Sequence, residues 1–91
     1  LYADRLEGRA AAAAGDVERA TELLRRSAEG FAALGARWEE AWSRLLVAEV
    51  IVGGEARQAE RELAAALPVF EQLGSVREAE RVRALLADIA A

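Results

Sequence analysis

Arginine and glutamate are the residues of this chain whose types and spacing could support chemistry. The sequence contains no histidine and no cysteine, which removes imidazole bases, thiol nucleophiles and nearly every zinc site. Two carboxylate pairs, Glu39 with Glu40 and Glu60 with Glu62, could act as acid and base. However, no histidine, lysine or cysteine is present to complete a catalytic set. We therefore predict that the protein is not an enzyme and binds no cofactor or metal ion.

All twelve basic residues are arginine, and Arg5, Arg44 and Arg83 are separated by the same interval of 39 residues. Guanidinium groups are planar, permanently charged donors that suit carboxylates, so a row of them would favour an acidic peptide. The alternative is that these arginines are solvated surface charges. In that case Glu40 would pair with Arg44, and Glu80 with Arg83, along one helix face. The sequence leaves both interpretations open.

The charge and hydropathy of the chain exclude several classes of partner. The net charge is −4 and the arginines are interspersed with glutamates, whereas a nucleic-acid surface needs clustered positive charge. The apolar run over 45–52 is too short to span a bilayer and contains Glu49. No basic leader precedes it, so we expect a cytoplasmic protein that binds neither nucleic acid nor membrane. The start at Leu1 indicates a fragment of a larger protein, and the arginine- and alanine-rich composition indicates a GC-rich bacterial genome.

The apolar period predicts five antiparallel helices in a single all-α domain that covers residues 1–91. They are expected over about 1–14, 16–34, 37–52, 55–73 and 75–90, with glycine at every break. The central helix is apolar nearly all round and must be covered on several sides. Its Val47–Val52 segment also suits a strand, but no second strand is available for pairing. Asp16 and Ser75 are predicted N-caps, and Pro68 is predicted to bend the fourth helix without ending it.

Each helix is predicted to bury one stripe of residues spaced three and four apart. On the first helix this stripe would consist of Tyr2, Leu6 and Ala13. The expected core anchors of the domain are Leu24, Phe31, Trp38, Trp42, Leu45, Leu63 and Phe70. The two tryptophans lie one turn apart, and they have two interpretations, an aromatic platform for a ligand or packing against a neighbouring helix.

The sequence repeats itself with a period of 39 residues. The shift superposes Leu6 on Leu45, Gly15 on Gly54, Ala20 on Ala59, Leu24 on Leu63, Phe31 on Phe70, Leu34 on Leu73 and Gly35 on Gly74. A period of one helical hairpin is typical of an α-solenoid, in which each unit buries its apolar face against its neighbours. The repeats are predicted over about 1–35 and 37–74, followed by a terminal helix over about 75–90.

The repeat resembles the tetratricopeptide repeat. In the first unit the matching residues are Gly8, Gly15, Asp16, Ala20 and Leu24, and in the second they are Gly54, Ala59 and Leu63. Val47 stands where the early glycine of the second unit would be, and both units lack the terminal proline. The units are longer than the usual 34 or so residues and end in Phe-x-x-Leu-Gly. This long form is similar to repeats in bacterial maltose-regulator-like transcription factors and in cyclase- and ATPase-associated signalling proteins.

The resemblance implies helix-turn-helix repeats in a solenoid whose first helices line a concave groove for peptides. The candidate groove residues are Tyr2, Arg5, Arg9, Arg44 and Arg83, and Arg25 is expected to face outward. The implied function is a noncatalytic protein-interaction module of a larger bacterial signalling or transcription-regulatory protein. Its partner would be a protein or peptide, with an acidic peptide as one candidate, or a second copy, since apolar end faces predict a homodimer. The alternative is a structural spacer within a long solenoid.

Overall fold

The computed structural model describes residues 1–91, which form five α-helices and no strand. The helices are α1 (Tyr2–Ala13), α2 (Val17–Ala33), α3 (Arg37–Ile51), α4 (Ala56–Gln72) and α5 (Val76–Ala90). The all-α prediction is confirmed, and the boundaries differ from the predicted ones by a single residue, which is within the usual uncertainty of helix ends. The segment Val47–Val52 belongs to α3 and its last turn, and α4 continues through Pro68.

Three of the four turns end a helix with a glycine in the left-handed region. Gly15, Gly35 and Gly74 have φ values of 83°, 72° and 69°. In each turn the amide of the following residue donates to the carbonyl five residues earlier at 2.9 Å, which satisfies a carbonyl at the helix end. The turn between α3 and α4 is one residue longer, and its Gly53 and Gly54 have no positive φ. Gly15 and Gly54 therefore match in sequence but differ in backbone conformation.

The two predicted N-caps have different outcomes. The carboxylate of Asp16 accepts from the amide of Arg19 at 3.2 Å, so Asp16 caps α2 as predicted. Ser75 occupies the N-cap position of α5 as predicted, but its side chain makes no capping hydrogen bond. Its hydroxyl instead accepts from the indole Nε1 of Trp38 at 2.8 Å. Ser75 therefore ties the start of α5 to α3.

Neighbouring helices run antiparallel. Asp4 of α1 pairs with Arg26 of α2, whereas Glu7, one turn later in α1, pairs with Arg19, two turns earlier in α2. Each helix packs mainly against the next one in sequence. Because every connection is only three or four residues long, each helix must reverse direction after its turn.

Alternate helices run parallel and touch each other through side chains. Trp38 and Glu49 of α3 contact Ser75 and Arg81, respectively, so the contacts advance along α3 and α5 together. In the same way, α1 contacts α3. The odd-numbered helices form one row, α2 packs against α1 and α3, and α4 packs against α3 and α5.

The largest apolar cluster joins α3, α4 and α5. Twelve of its thirteen buried residues lie on these helices, the other is Leu24 of α2, and α1 contributes none. Of the residues predicted as core anchors, the buried ones are Leu24, Phe31, Leu45, Leu63 and Phe70. Trp38 and Trp42 are half-buried and pack against the edge of the cluster.

The buried face of α1 differs from the predicted one. The predicted stripe of Tyr2, Leu6 and Ala13 is exposed, and the buried residues are instead Arg5, Gly8 and Ala11. The reason is the close approach of α1 to α2, since a Cβ atom on Gly8 would lie 2.8 Å from Cγ of Leu24. Only small residues fit there. No further helix covers the other side of α1, so its large apolar residues remain in solvent.

One polar contact lies within the interface between α2 and α3. The hydroxyl oxygens of Ser27 and Ser43 are 3.1 Å apart, and both residues are fully buried. In the 39-residue repeat, Ser27 and Ser43 correspond to Ala66 and Val82, which are buried in α4 and α5. The corresponding position of the second unit is therefore apolar.

Replacing one of these serines should lower the free energy of unfolding more than replacing both. Ser27→Ala is expected to lower the free energy of unfolding by about 1 kcal/mol, because the Ser43 hydroxyl loses its partner. Ser27→Ala combined with Ser43→Val should be close to neutral, since no buried hydroxyl is left unpaired. Urea denaturation followed by circular dichroism measures both. A double variant that is less stable than the single variant would contradict this account.

Candidate functional site

Arg5, one of the predicted groove residues, is enclosed by side chains of three helices. Its guanidinium carbon lies 4.2 Å from the ring centroid of Trp42, 5.0 Å from that of Phe31 and 5.2 Å from that of Tyr2. Its Nη1 forms an ion pair with Oε2 of Glu39, 2.5 Å away. Aromatic faces and a carboxylate both stabilise a desolvated cation. We call Phe31, Glu39 and Trp42 the Arg5 pocket.

Arg44 is held by two carboxylates. Glu40 accepts from Nε of Arg44 at 3.0 Å and from Nη2 at 2.7 Å. Glu62 of α4 lies 3.6 Å from Nη1. Glu62 is buried, with 8% of its surface exposed, and its Oε2 has no hydrogen bond. The charge of Arg44 is therefore what compensates the buried carboxylate at the interface of α3 and α4.

Arg83 turns back towards α4, where its Nη2 donates to Glu71 at 2.7 Å on the exposed surface. Arg5, Arg44 and Arg83 thus contact four different carboxylates and do not form one open row. Of the other predicted groove residues, Tyr2 and Arg9 are exposed, and the guanidinium of Arg9 lies 5.3 Å from the Trp42 ring. Binding of an acidic peptide by these residues stays a prediction, in which the peptide would have to displace internal partners.

The largest concave surface lies elsewhere, where α1 and α3 end and where α2 and α4 begin. Two adjoining clefts of about 710 and 330 Å³ share Val17 of α2 and Val50 of α3. We call them together the Val17–Val50 cleft. Both volumes fall within the range of binding sites for small ligands and peptide side chains, about 300–1,000 Å³.

The rim of the Val17–Val50 cleft is acidic, and its floor is apolar. The charged residues that line it are Arg9, Glu18, Glu22, Arg25, Glu49 and Glu55. Of the four carboxylates, Glu22 and Glu49 are paired with Arg26 and Arg81, which lie outside the cleft, and Glu18 and Glu55 make no ion pair. Arg25 was expected to face outward, but it lines this cleft. The apolar floor includes Val17, Leu46 and Val50. A ligand with an apolar face and positive charges would match both parts.

The Val17–Val50 cleft is left unfilled by the residues at the helix ends around it. Val17 is the first residue of α2 and is 50% exposed, because no preceding helical turn covers it. Gly53 and Gly54 line the other side and have no side chains to fill the space. Val17 has the helical spacing from Ala20 and Leu24 that is typical of a buried stripe, but it lines this open cleft instead. Its position directly after the Asp16 cap is the signal that could have indicated exposure.

Comparisons with protein-family models, with curated proteins and with solved structures gave no match. No group of three or more acidic, histidine or cysteine side chains is placed to hold a metal ion. None of the five helices combines the length and apolar character needed to cross a membrane.

Proposed function

We propose that this chain is a noncatalytic protein-interaction module and that a helical segment of a partner protein binds in the Val17–Val50 cleft. The observation that carries the proposal is the cleft, which combines an apolar floor with a charged rim on a scaffold of packed helices. An amphipathic helix binds a groove of this kind by laying its apolar face on the floor. The charges around the rim would set its direction.

The order of the helices supports a tetratricopeptide-like solenoid as the architecture of this module. Parallel odd-numbered helices in one row, with an even-numbered helix behind each pair, are what stacked helical hairpins produce. The equivalent residues Phe31 and Phe70 are both buried, and each precedes an equivalent left-handed glycine turn. With the long-repeat resemblance, this arrangement supports a role in a larger bacterial signalling or transcription-regulatory protein that works in the cytoplasm.

The rim charge favours a basic partner segment over an acidic one. Four carboxylates and two guanidinium groups line the cleft. Glu22 and Glu49 are paired with Arg26 and Arg81 outside it, so the attraction for a basic segment would come from Glu18 and Glu55 together with the net charge of −4 on the whole chain. A basic amphipathic helix would be attracted over a distance comparable to the Debye length of about 8 Å at physiological salt. Its affinity should therefore fall as salt is added.

Val17→Asp is expected to weaken binding of a basic amphipathic helix at least tenfold. The substitution places a charge on the apolar floor of the cleft, where a bound helix would desolvate it. It should leave the fold intact, because Val17 is half-exposed and an acidic residue is favourable in the first turn of a helix. The measurement is a fluorescence titration of a labelled Lys- and Leu-rich helical peptide against the wild type and the variant.

Val76→Asp is the matched control for this titration. Val76 is also the first residue of its helix and is 65% exposed, but it lies at the opposite end of the bundle. Equal weakening by both substitutions, or binding that salt does not change, would contradict the proposed site. An acidic peptide that binds better than the basic one, and that loses affinity in Arg83→Ala but not in Arg57→Ala, would indicate the arginine surface instead. Arg57 is chosen as the control for Arg83 in preference to Arg25, because Arg25 lines the cleft.

A structural spacer is the second candidate, and one observation favours it. Leu6 is 71% exposed, whereas its equivalent in the second unit, Leu45, is 4% exposed. Leu45 lies in the apolar cluster that joins α3, α4 and α5, whereas α1 is open on one side, so a further helix packed there would cover Leu6. Peptide binding that depends on Val17 favours the interaction module over the spacer, because a spacer needs no ligand.

A further inference from the structure

The attachment of α1 to the rest of the molecule depends on a charged anchor. Arg5 is buried in the Arg5 pocket, 4.2 Å from the Trp42 ring and in ionic contact with Glu39. The other two buried residues of α1 are Gly8 and Ala11, which have almost no side chain to bury. Because α1 adds no residue to the large apolar cluster, the guanidinium group is the only large side chain that it inserts into the protein.

The surface beneath α1 is therefore a specific receptor for one kind of helix. A helix that fits must present an arginine to the Arg5 pocket and small residues three and six positions later. A Cβ atom at the position of Gly8 would already lie within 3 Å of two atoms of the Leu24 side chain, so large residues are rejected there. The helix that meets these requirements is α1 itself, and every copy of the protein carries one.

The connection between α1 and α2 offers a simple hinge. It consists of Ala14, Gly15 and Asp16, and Gly15 alone has a left-handed φ, of 83°. The residues before it, Ala10–Ala14, are alanines, which have the highest helix propensity. If Gly15 and Asp16, whose ψ is 82°, both changed to helical angles, α1 and α2 would continue as one straight helix. In that state α1 could not reach its own pocket, and the pocket would be empty.

We propose that the Arg5 pocket and the adjoining surface of α2 are a binding site for the α1 helix of a second copy, which inserts its own Arg5 there. Each copy would give its α1 to the other, so the contacts that α1 makes with α2 and α3 would be kept between two chains, and only those of the turn at Gly15 would be lost. Exchange of an identical element between protomers is a low-cost route to a dimer for this reason. This surface meets the Val17–Val50 cleft at Leu24, but recognition of Arg5 by its pocket does not require the proposed function to hold.

A complementation experiment tests this proposal with the full chain. Arg5→Met keeps a long apolar stem but removes the guanidinium, so this variant has an intact pocket and no matching helix. Trp42→Ala keeps Arg5 but damages the pocket. A dye attached through Ala91→Cys, the only cysteine in the chain, marks the Trp42→Ala variant. Titration with unlabelled Arg5→Met protein should then raise the fluorescence anisotropy, and sedimentation should give the mass of a one-to-one complex.

The controls separate pocket recognition from general association of apolar surfaces. The double variant Arg5→Met with Trp42→Ala lacks the intact pocket, and Arg57→Met keeps the native Arg5 in place. Both should bind the labelled protein at least tenfold more weakly than Arg5→Met does. Equal affinity for the double variant, or no complex with Arg5→Met, would overturn the proposal. If circular dichroism shows that Trp42→Ala is unfolded, Glu39→Gln replaces it as the pocket-damaged variant in the same comparison, with the same deciding outcomes.

Discussion

Phe70→Ala is expected to lower the free energy of unfolding by about 3–5 kcal/mol, the range observed when a fully buried phenylalanine is truncated. Phe70 has no exposed surface and belongs to the apolar cluster that joins α3, α4 and α5. Its ring lies 6.2 Å from the ring of Trp38, edge to face. Removal of the ring would leave a cavity surrounded by three helices that cannot close around it without losing other contacts.

Phe31→Ala should lie at the lower end of the same range. Phe31 is as buried as Phe70, but the ring nearest to it is that of the exposed Tyr2, with 4.9 Å between centroids. Because α1 is attached mainly through Arg5, it can shift and fill part of the cavity. Urea denaturation of the two variants measures the difference. Leu34→Ala and Leu73→Ala, at equivalent exposed positions, are the controls and should change the free energy by less than about 0.5 kcal/mol.

Unchanged denaturation midpoints for both phenylalanine variants would contradict the repeat register. The register places Phe31 and Phe70 at equivalent places in α2 and α4, each four residues before the left-handed glycine that ends its helix. If Phe31→Ala lowers the free energy of unfolding more than Phe70→Ala does, α1 is held more firmly than its buried residues indicate.

Arg44→Ala is expected to destabilise the protein by about 2–3 kcal/mol, because it leaves the buried carboxylate of Glu62 without a compensating charge. The loss should be smaller than the roughly 3–5 kcal/mol found for fully buried pairs, since the Arg44 side chain is 30% exposed. Arg57→Ala is the control, because Arg57 is exposed and makes no ion pair. Thermal and urea denaturation measure both variants.

A second substitution tests the cause of this loss. In Arg44→Leu with Glu62→Leu no buried charge remains, so the double variant should recover most of the stability lost in Arg44→Ala. Failure to recover would mean that the arginine stem, and not compensation of Glu62, stabilises the interface of α3 and α4. An Arg44→Ala variant as stable as the wild type would show that water reaches Glu62.

The sequence predicted the helices and their ends well because these depend on local chemistry. Glycine at 15, 35 and 74 ends a helix through its own φ value, and Asp16 starts the next through a carboxylate three residues from its partner amide. The buried side of α2 and α4 was also readable, since Ala20, Leu24, Ala59 and Leu63 recur at the same spacing and are all buried.

The sequence did not predict which side of α1 is buried or where the candidate site lies. Apolar periodicity assumes that the largest apolar residues face the core, but α1 has a neighbour on one side only. The distance to α2 then decides the outcome, and it selects Gly8 and Ala11 over Leu6. Arg5 follows these small residues into the interior because Trp42 and Glu39 approach from α3, about 37 residues further along the chain. Such contacts are a property of the packed helices and cannot be read from one helix.

The positions of the two tryptophans give the protein two internal optical reporters. Trp38 donates to Ser75 and packs on Phe70, so its emission responds to the environment at α4 and α5. Trp42 lies against Arg5 and Arg9, so its emission responds to α1. The two indoles also touch each other, with 5.5 Å between their ring centroids, but their other contacts lie in opposite halves of the chain. With one of them replaced by phenylalanine at a time, spectroscopy can follow the docking of α1 separately from the melting of the core.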